Sequence, residues 1–222
     1  MTTTVSVIIP VYNSARYICR ALDSVLAQNM PGLQIIVVDD GSTDNSATLV
    51  SQYAASVTLL RQGNRGPAAA RNWGVEQSRG EFLMFLDADD LWPEGRLQWQ
   101  LEYLQAHPEV DVVQGTLQLL HADESGQTPP AEPHHANSLC TAFMRREAFL
   151  RVGLLDETLR YCEDLDWFFA AQSMDVSVHR SDRLALIHRR HDDNATNRID
   201  LVRHCTLQVV ARHRLRRGEQ TG

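Results

Sequence analysis

The sequence contains no lysine, and all 21 of its basic residues are arginine. It also has no G-x-G-x-x-G motif after the first strand-like segment, which argues against a dinucleotide-dependent oxidoreductase. A nucleotidyltransferase that activates sugar phosphates would need a glycine-rich phosphate loop with a lysine near the first strand. Tyr12-Asn13-Ser14 stands at that place instead. Both enzyme classes are therefore disfavoured.

Long apolar runs are missing too, and no stretch approaches the roughly 20 residues that a membrane helix needs. The amino terminus, Met1 to Thr4, has no basic segment of the kind that opens a signal peptide. The 4 cysteines are far apart and form no C-x-x-C motif: Cys19, Cys140, Cys162 and Cys205. We therefore expect reduced thiols and a cytoplasmic protein.

Basic residues are outnumbered by the 28 acidic ones, which gives a net charge of −7. A general nucleic-acid binder is usually basic, so no nucleic-acid partner is expected. The hydrophobic content of 43% over 222 residues is sufficient for one substantial domain with a buried core.

Strand-like and helix-like segments alternate over the first part of the chain. The predicted strands are 5–9, 34–38, 57–60 and 81–86, with the first ending at Pro10. Three helices are predicted: the first begins after Ser14 as its cap, the second runs through Leu49 and Tyr53, and the third covers 68–77. This order predicts an α/β fold, a mostly parallel sheet flanked by helices in a single domain.

The second half of the sequence is less regular. We predict helices at 97–105, 146–151 and 163–174, strands at 110–113, 138–144, 176–178 and 183–187, and a polar loop at 121–137. From residue 197 a weakly amphipathic helix leads to Arg212, Arg214, Arg216 and Arg217. We divide the chain into a domain of residues 1–197 and a basic helical tail of residues 198–222.

Two acidic runs follow predicted strands, at the edge where ligands bind in such sheets. In the second run, Asp87, Asp89 and Asp90 would repel one another without a cation, and Mg²⁺ or Mn²⁺ would also hold diphosphate oxygens. The first run is Asp39-Asp40, whose carboxylates can accept hydrogen bonds from a nucleobase or ribose. Each run alone is equally compatible with an acidic turn that caps a helix.

Two further motifs carry charge at predicted helix starts. Small residues before Arg71 would expose backbone N–H groups to an anion, and Arg71 would face a phosphate or pair with an acidic residue. Glu163-Asp164 opens a predicted helix, where acidic residues are favourable for structural reasons alone. The adjacent His134 and His135 lack partners for a zinc site and are interpreted as loop residues.

Taken together, seven runs in order resemble family 2 glycosyltransferases of the GT-A (Rossmann-like) fold, over roughly residues 4–197. The runs are SVIIPVYNSARYICRALDSVLAQ, IIVVDDGSTDNS, NRGPAAARNWG, FLMFLDADDLW, AFMRREAFLRVGLLDE, CEDLDW and HRRHDDNAT. Ile187-His188 departs from the pattern, because the family often has an aromatic residue there.

The resemblance implies a nucleotide pocket lined by Pro10, Tyr12 and Asp40, with Asp40 on the base and Asp39 close by. It also implies that Arg71 lies on the nucleotide side of the site.

Further roles follow from the same resemblance for the D-x-D and the second half. Asp87 and Asp89 would handle the ribose and the metal, with Asp90 as a further ligand. Asp164 aligns with the catalytic base, beside Glu163, and Trp167 lines the acceptor site. His191 aligns with a residue near the metal and diphosphate, and His188 takes that place if the register slips.

The implied activity is inverting transfer of a sugar from a nucleotide-diphosphate donor to an acceptor hydroxyl, on a glycan or a lipid-linked acceptor, in polysaccharide biosynthesis. The alternative is a non-catalytic protein that binds nucleotide sugars or carbohydrate and keeps the fold. The basic tail would allow peripheral contact with an acidic membrane surface at the inner membrane face. A homo-oligomer is a further expectation, and the loop 121–137 would set acceptor choice.

Overall fold

A seven-stranded sheet organises the computed structural model of the protein, which describes residues 4–121, 130–192, 194 and 197–219. The strands are β1 Val5–Val11, β2 Leu33–Asp39, β3 Val57–Arg61, β4 Phe82–Phe85, β5 Val112–His121, β6 Ala142–Arg145 and β7 Val178–Arg190. The helices are α1 Ile18–Leu26, α2 Ser46–Ser51, α3 Pro67–Gln77, α4 Arg96–Ala106, α5 Arg146–Val152, α6 Glu163–Ser173 and α7 Ile199–Glu219. A short 3-10 helix, Leu139–Thr141, precedes β6.

The strand order across the sheet is β3-β2-β1-β4-β6-β5-β7. The first four strands in this order are parallel, β6 runs antiparallel between β4 and β5, and β7 is parallel to β5. The prediction of a mostly parallel sheet with flanking helices is therefore confirmed. Because β1, β2 and β4 run the same way, their carboxyl ends meet at one edge, which we call the carboxyl edge.

Central strands are apolar along almost their whole length because helices cover both faces of the sheet. In β1 only Pro10 is not fully buried, and all four residues of β4 are buried. The core continues on α1, whose buried residues recur at helical spacing: Ile18, Ala21, Leu22 and Val25.

The first strand continues through Pro10 to Val11, so the predicted strand 5–9 ended two residues too early. On one side β1 pairs with β2 along its whole length, whereas on the other side β4 pairs only as far as Ile8. The missing N–H of Pro10 therefore removes no bond from the ladder on the β4 side. The predicted cap was wrong as well: α1 begins at Ile18, and the Ser14 hydroxyl bonds to the Tyr12 carbonyl.

Close contact between α3 and β1 depends on Gly74. A Cβ atom built at Gly74 would lie 2.4 Å from Cγ2 of Ile8, much closer than two carbon atoms can approach. The helix can therefore lie this low on the sheet only because position 74 has no side chain. Arg71 and Gly74 are three residues apart, so they occupy the same side of α3.

Several predictions in the second half were wrong in their boundaries. Of the predicted strand 176–178 only Val178 is in a strand, and it belongs with 183–187 to β7; β5 extends to His121 instead of ending at 113. Within the predicted loop, His134 exchanges two backbone hydrogen bonds with Leu117, at 2.9 Å each. Residues 122–129 of that loop lie outside the described residues.

The predicted tail helix is α7, which packs against α6. The thiol of Cys162, just before α6, lies 3.4 Å from the Thr206 hydroxyl, and the His213 ring stacks on Phe169 at 4.8 Å. Arg212 also donates to Asp156 at 2.6 Å. Across the ranges that the structure describes, we find no helix long and apolar enough to span a bilayer.

Candidate active site

Asp39 and Asp40 lie at the carboxyl end of β2, and both hold the neighbouring loops of the carboxyl edge in place. Asp40 accepts hydrogen bonds from Nε2 of Gln62 at 2.7 Å and from the backbone N–H groups of Arg65 and Gly66 at 2.8 Å. It thereby fixes the loop that leads into α3. Asp39 is fully buried and accepts from the Ser42 N–H at 3.0 Å and from Nε of Arg61 at 3.2 Å.

The loop after β1 places Tyr12 in solvent beside these carboxylates. Tyr12 is 49% exposed, whereas Pro10 is half-buried within the strand. Asn13 holds a left-handed backbone conformation with φ of 48°, and its side-chain oxygen accepts from the Thr43 N–H at 2.8 Å. The β1 and β2 loops are thus tied together, which leaves the phenol of Tyr12 free to stack on a ligand.

Arg71 bridges two carboxylates from distant parts of the chain. Its Nη2 donates to Asp87 at 2.5 Å, and its Nη1 makes a very short hydrogen bond to Glu163, the first residue of α6. The guanidinium side chain is only 8% exposed. Burial opposes its charge, but Asp87 and then Glu163 raise the pKa of Arg71 well above its usual value.

Asp164 follows Glu163 and is half-buried in the first turn of α6. Its carboxylate accepts from the Leu165 N–H at 2.9 Å. Burial, and next the charge of Glu163, raise the pKa of Asp164 to about 7, while Arg71 acts in the opposite direction. A carboxylate with this pKa can accept a proton near neutral pH, as a general base must.

The acidic run after β4 separates into three different environments. Asp87 faces Arg71, whereas Asp89 receives Nε2 of His191 at 3.0 Å and Nδ2 of Asn194 at 3.1 Å. Asp90 points inward instead. Both of its oxygens lie 3.0 Å from Nδ1 of His188, and the Arg189 N–H donates to it as well.

Burial raises the pKa of Asp90 to about 6, against the lowering effect of His188. The pKa of His188 is itself raised: burial would lower it, but the hydrogen bond to Asp90 prevails. With 1% of its side chain exposed, Asp90 is placed to orient the strand β7 through His188 and Arg189. Both carboxylate oxygens of Asp90 are thus engaged by residues of β7.

Asp89 and His191 are two potential ligands of a divalent ion, and their side chains contact each other. In the ranges described, no three histidine, cysteine, aspartate or glutamate side chains form a group that could hold an ion alone. The Nδ1 atom of His191 is buried with no hydrogen-bond partner, and its ring stacks on Tyr17 at 4.1 Å. A partial donor set of this kind fits Mg²⁺ or Mn²⁺, which usually take further ligands from substrate phosphates and water.

Trp167 lies in the core, not on an open surface. It is 2% exposed, stacks on Phe149 at 5.2 Å and donates from Nε1 to the Gly153 carbonyl at 3.2 Å. It still borders a cavity of about 180 Å³, whose lining is Val152, Leu154, Leu155, Asp156, Glu163, Asp166, Trp167 and Ala170. Glu163 therefore faces both this cavity and Arg71.

Some residues of the site had no signal of their own in the sequence. Gln62 and Tyr17 are single polar or aromatic residues in ordinary segments, yet they contact Asp40 and His191. Arg189 also makes a very short hydrogen bond to the Asp89 carbonyl, across 100 residues of sequence. Only Asn194 could have been identified, from its spacing to His191.

Comparison with known sequences gives one family. The pattern of glycosyl transferase family 2 matches residues 6–120, just over half of the chain. An uncharacterised glycosyltransferase of Rickettsia typhi is 30% identical over 210 residues, which cover 87% of this chain and 66% of that protein. The uncharacterised glycosyltransferase EpsJ of Bacillus subtilis is 29% identical over 216 residues, 86% of this chain and 62% of the relative. The chain thus spans less than two thirds of the length of either relative.

Comparison with solved structures agrees on the fold. The mannosyltransferase PcManGT from Pyrobaculum calidifontis, in complex with GDP-Man and Mn²⁺, has a TM-score of 0.74 at 22% identity, over 96% of this chain and 64% of that one. Residues 1–349 of S. aureus TarS, in complex with UDP-GlcNAc, give 0.72 at 23% identity, over 88% and 61%. These similarities confirm the predicted GT-A fold. With the sequence match, they establish that the chain belongs to glycosyl transferase family 2.

Proposed function

We propose that the chain is the transferase domain of a metal-assisted, inverting glycosyltransferase that uses a nucleotide-diphosphate sugar. The observation that carries the proposal is Asp164, a half-buried carboxylate with its pKa raised to about 7, one residue after the Glu163 that Arg71 joins to Asp87. The arrangement brings a proton acceptor from α6 next to the acidic end of β4. Such a pairing suits attack of an acceptor hydroxyl on a bound donor.

In the proposed reaction, the acceptor hydroxyl oxygen forms a bond to the anomeric carbon of the donor sugar. The bond from that carbon to the diphosphate oxygen breaks, and the nucleoside diphosphate leaves with the electron pair. Asp164 takes the hydroxyl proton. Attack from the side opposite the leaving group inverts the anomeric centre.

On the donor side, Asp89 and His191 would hold the divalent ion, and Tyr12 would stack on the nucleobase beside Asp40. When bound, Mg²⁺ or Mn²⁺ offsets negative charge on the diphosphate. Asn194 donates to the Asp89 oxygen that also meets His191, and so keeps this carboxylate oriented. The choice of UDP-, GDP- or another sugar is open, since one structural neighbour holds UDP-GlcNAc and another holds GDP-Man.

The test is ligand-dependent thermal stability with UDP-, GDP-, dTDP- and CDP-sugars, each with and without Mn²⁺. A ligand at 100 times its Kd should stabilise the native state by about 2.7 kcal/mol. We expect a metal-dependent rise in Tm for one nucleotide, which Asp89→Ala abolishes. Glu76→Gln, an exposed carboxylate on α3, serves as the matched control and should retain the rise.

Release of nucleoside diphosphate from the same donor then separates catalysis from binding. A rise in Tm with no release, in the presence of a panel of sugar and lipid-linked acceptors, would favour the non-catalytic binding protein. No rise with any nucleotide, in folded protein, would count against both the transferase and a nucleotide-sugar-binding protein, and would favour the non-catalytic carbohydrate-binding alternative.

A further inference from the structure

Arg71 connects the donor side of the site to the acceptor side. Asp87 follows β4, and Glu163 is the first residue of α6, 92 residues from Arg71 in the sequence. The guanidinium is planar with a fixed fork of donors, so it can hold two carboxylates in a better-defined geometry than an ammonium group can. The two elements thus meet through one side chain.

As arranged, little of the guanidinium is accessible to a phosphate. Both Nη atoms are engaged by carboxylates, and Nε is buried without a partner. The side chain exposes only 8% of its surface. A diphosphate oxygen would therefore meet a guanidinium that is already paired with two carboxylates and largely covered. The contacts therefore favour a bridging role over the nucleotide-binding role expected from the sequence.

The positive charge of Arg71 offsets the negative charges of the carboxylates around it. Asp87, Glu163 and Asp164 all act electrostatically on this buried cation. Without the cation, the carboxylates would repel one another in a poorly solvated site, since unpaired buried charges are strongly unfavourable. Because Asp164 is the next residue after Glu163, any displacement of Glu163 moves Asp164 as well.

We propose that Arg71 is a positioning residue, which sets the place of Asp164 relative to the bound donor by bridging Asp87 and Glu163. The inference rests on the proposed function for the role of Asp164, but the bridge itself does not depend on it. Arg71 thus acts through these carboxylates and touches neither the sugar nor the diphosphate.

The test compares Arg71→Lys, Arg71→Gln and Glu163→Gln with the wild type, and uses Arg79→Gln as an exposed control beyond α3. The Kd of the nucleoside diphosphate with Mn²⁺ is measured by calorimetry, and kcat by hydrolysis of the nucleotide sugar that stabilises the wild type. A misplacement of about 1 Å can cost roughly 100-fold in rate. We expect kcat to fall by about 10- to 100-fold in the Arg71 variants, with Kd and KM within about 3-fold of wild type.

A second measurement needs no catalysis. Hydrogen exchange at the backbone of residues 162–166 should be faster in Arg71→Gln and in Glu163→Gln than in the wild type, and unchanged in Arg79→Gln. Arg71→Lys keeps the charge and retains one carboxylate contact, so it provides a folded variant if Arg71→Gln unfolds.

Two outcomes would overturn the inference. Weakened nucleotide binding with kcat preserved would make Arg71 a phosphate ligand, and unchanged exchange at residues 162–166 would show that no bridge orders α6. A wild type that neither binds nor hydrolyses any nucleotide sugar would reject the proposed function instead, while the exchange measurement would still decide on the bridge.

Discussion

The candidate site has two halves, a parallel half at the ends of β1, β2 and β4 and a second half on α6, and they use their carboxylates differently. In the parallel half, Asp40 is satisfied by three hydrogen bonds and Asp39 by two, mostly from loops that follow the strands. In the second half, Asp164 accepts a hydrogen bond from the Leu165 N–H and lies beside another carboxylate, Glu163. Asp39 and Asp40 stabilise the surrounding loops, whereas Asp164 keeps an affinity for a proton. Acidic motifs that look alike in the sequence therefore have different roles in the structure.

The largest effect should come from Asp164→Asn, which removes the proton acceptor and leaves the shape nearly unchanged. We expect the transfer or hydrolysis rate to fall by about 10²- to 10⁴-fold, with nucleotide affinity unchanged. The wild-type rate should rise with pH around 7, because the pKa of Asp164 is about 7 and only the ionised form accepts a proton. Asp166→Asn, in the same turn, is the control. If Asp164→Asn retained its activity, the proposed difference between the two halves of the site would be wrong.

Asp40→Ala should affect the framework instead. The change leaves the Gln62 side chain and two backbone N–H groups without their acceptor at a site that is 4% exposed. We expect a loss of roughly 2–4 kcal/mol in the free energy of unfolding, measured by urea denaturation. Glu76→Gln should change it by less than about 0.5 kcal/mol. If Asp40→Ala lost only nucleotide binding, Asp40 would be a ligand and not a framework residue.

Gly74→Ala tests the same framework at the contact between α3 and β1. The new methyl group would lie 2.4 Å from Cγ2 of Ile8, so we expect a cost of about 1–3 kcal/mol. Ile8→Ala removes the obstructing atom. Combined with Gly74→Ala, it should cost less than the sum of the two single changes, which a double-mutant cycle by denaturation measures. If the two stability costs simply added, a side chain at position 74 would not be in steric conflict with Ile8.

The smallest effect concerns the pH dependence of stability. The pKa of Asp164 is raised in the folded protein to about 7 from an ordinary value of 3.8. Its contribution to stability is therefore complete below pH 3.8 and is lost as pH rises through 7. Asp164→Asn does not titrate, so we expect it to be more stable than the wild type at pH 8, by roughly 1–2 kcal/mol given partial solvent screening. If the difference in stability between Asp164→Asn and the wild type were the same at pH 4.5 and at pH 8, the raised pKa of Asp164 would be contradicted.

Most of the parallel half could be predicted because its signals are local. Buried central strands such as β1 and β2 consist almost entirely of apolar residues, and a turn follows each of them. Strand β7 was predicted as two pieces for the opposite reason. Residues 181–183 are polar and face the single residue Gly115, as the register shift between Gln114 and Thr116 shows. A bulge of this kind depends on the neighbouring strand, so the sequence of β7 alone does not reveal it.

For the candidate site, the sequence pointed to residues but not to most of their contacts. Asp164 and His191 were singled out by the family resemblance, and Arg71 by its motif, and their roles stay predictions. The bridge from Arg71 to Glu163, and the contact between Asp89 and His191, span 92 and 102 residues. Such pairs depend on how the strands are ordered in the sheet, which periodicity does not specify. The burial of Trp167 against Phe149 was likewise beyond what its motif indicated.

The single antiparallel strand, β6, has a consequence for how this fold tolerates change. Strand β5 ends at the carboxyl edge, and β6, because it is reversed, begins at that edge. The connection between them therefore begins and ends at that edge, and Ala131 and His134 within it bond back to β5. An insertion or deletion between His121 and Ala131 would change the length of this connection without shifting the register of the paired strands. Related chains could in this way differ at this edge while the sheet and its carboxylates stay as they are.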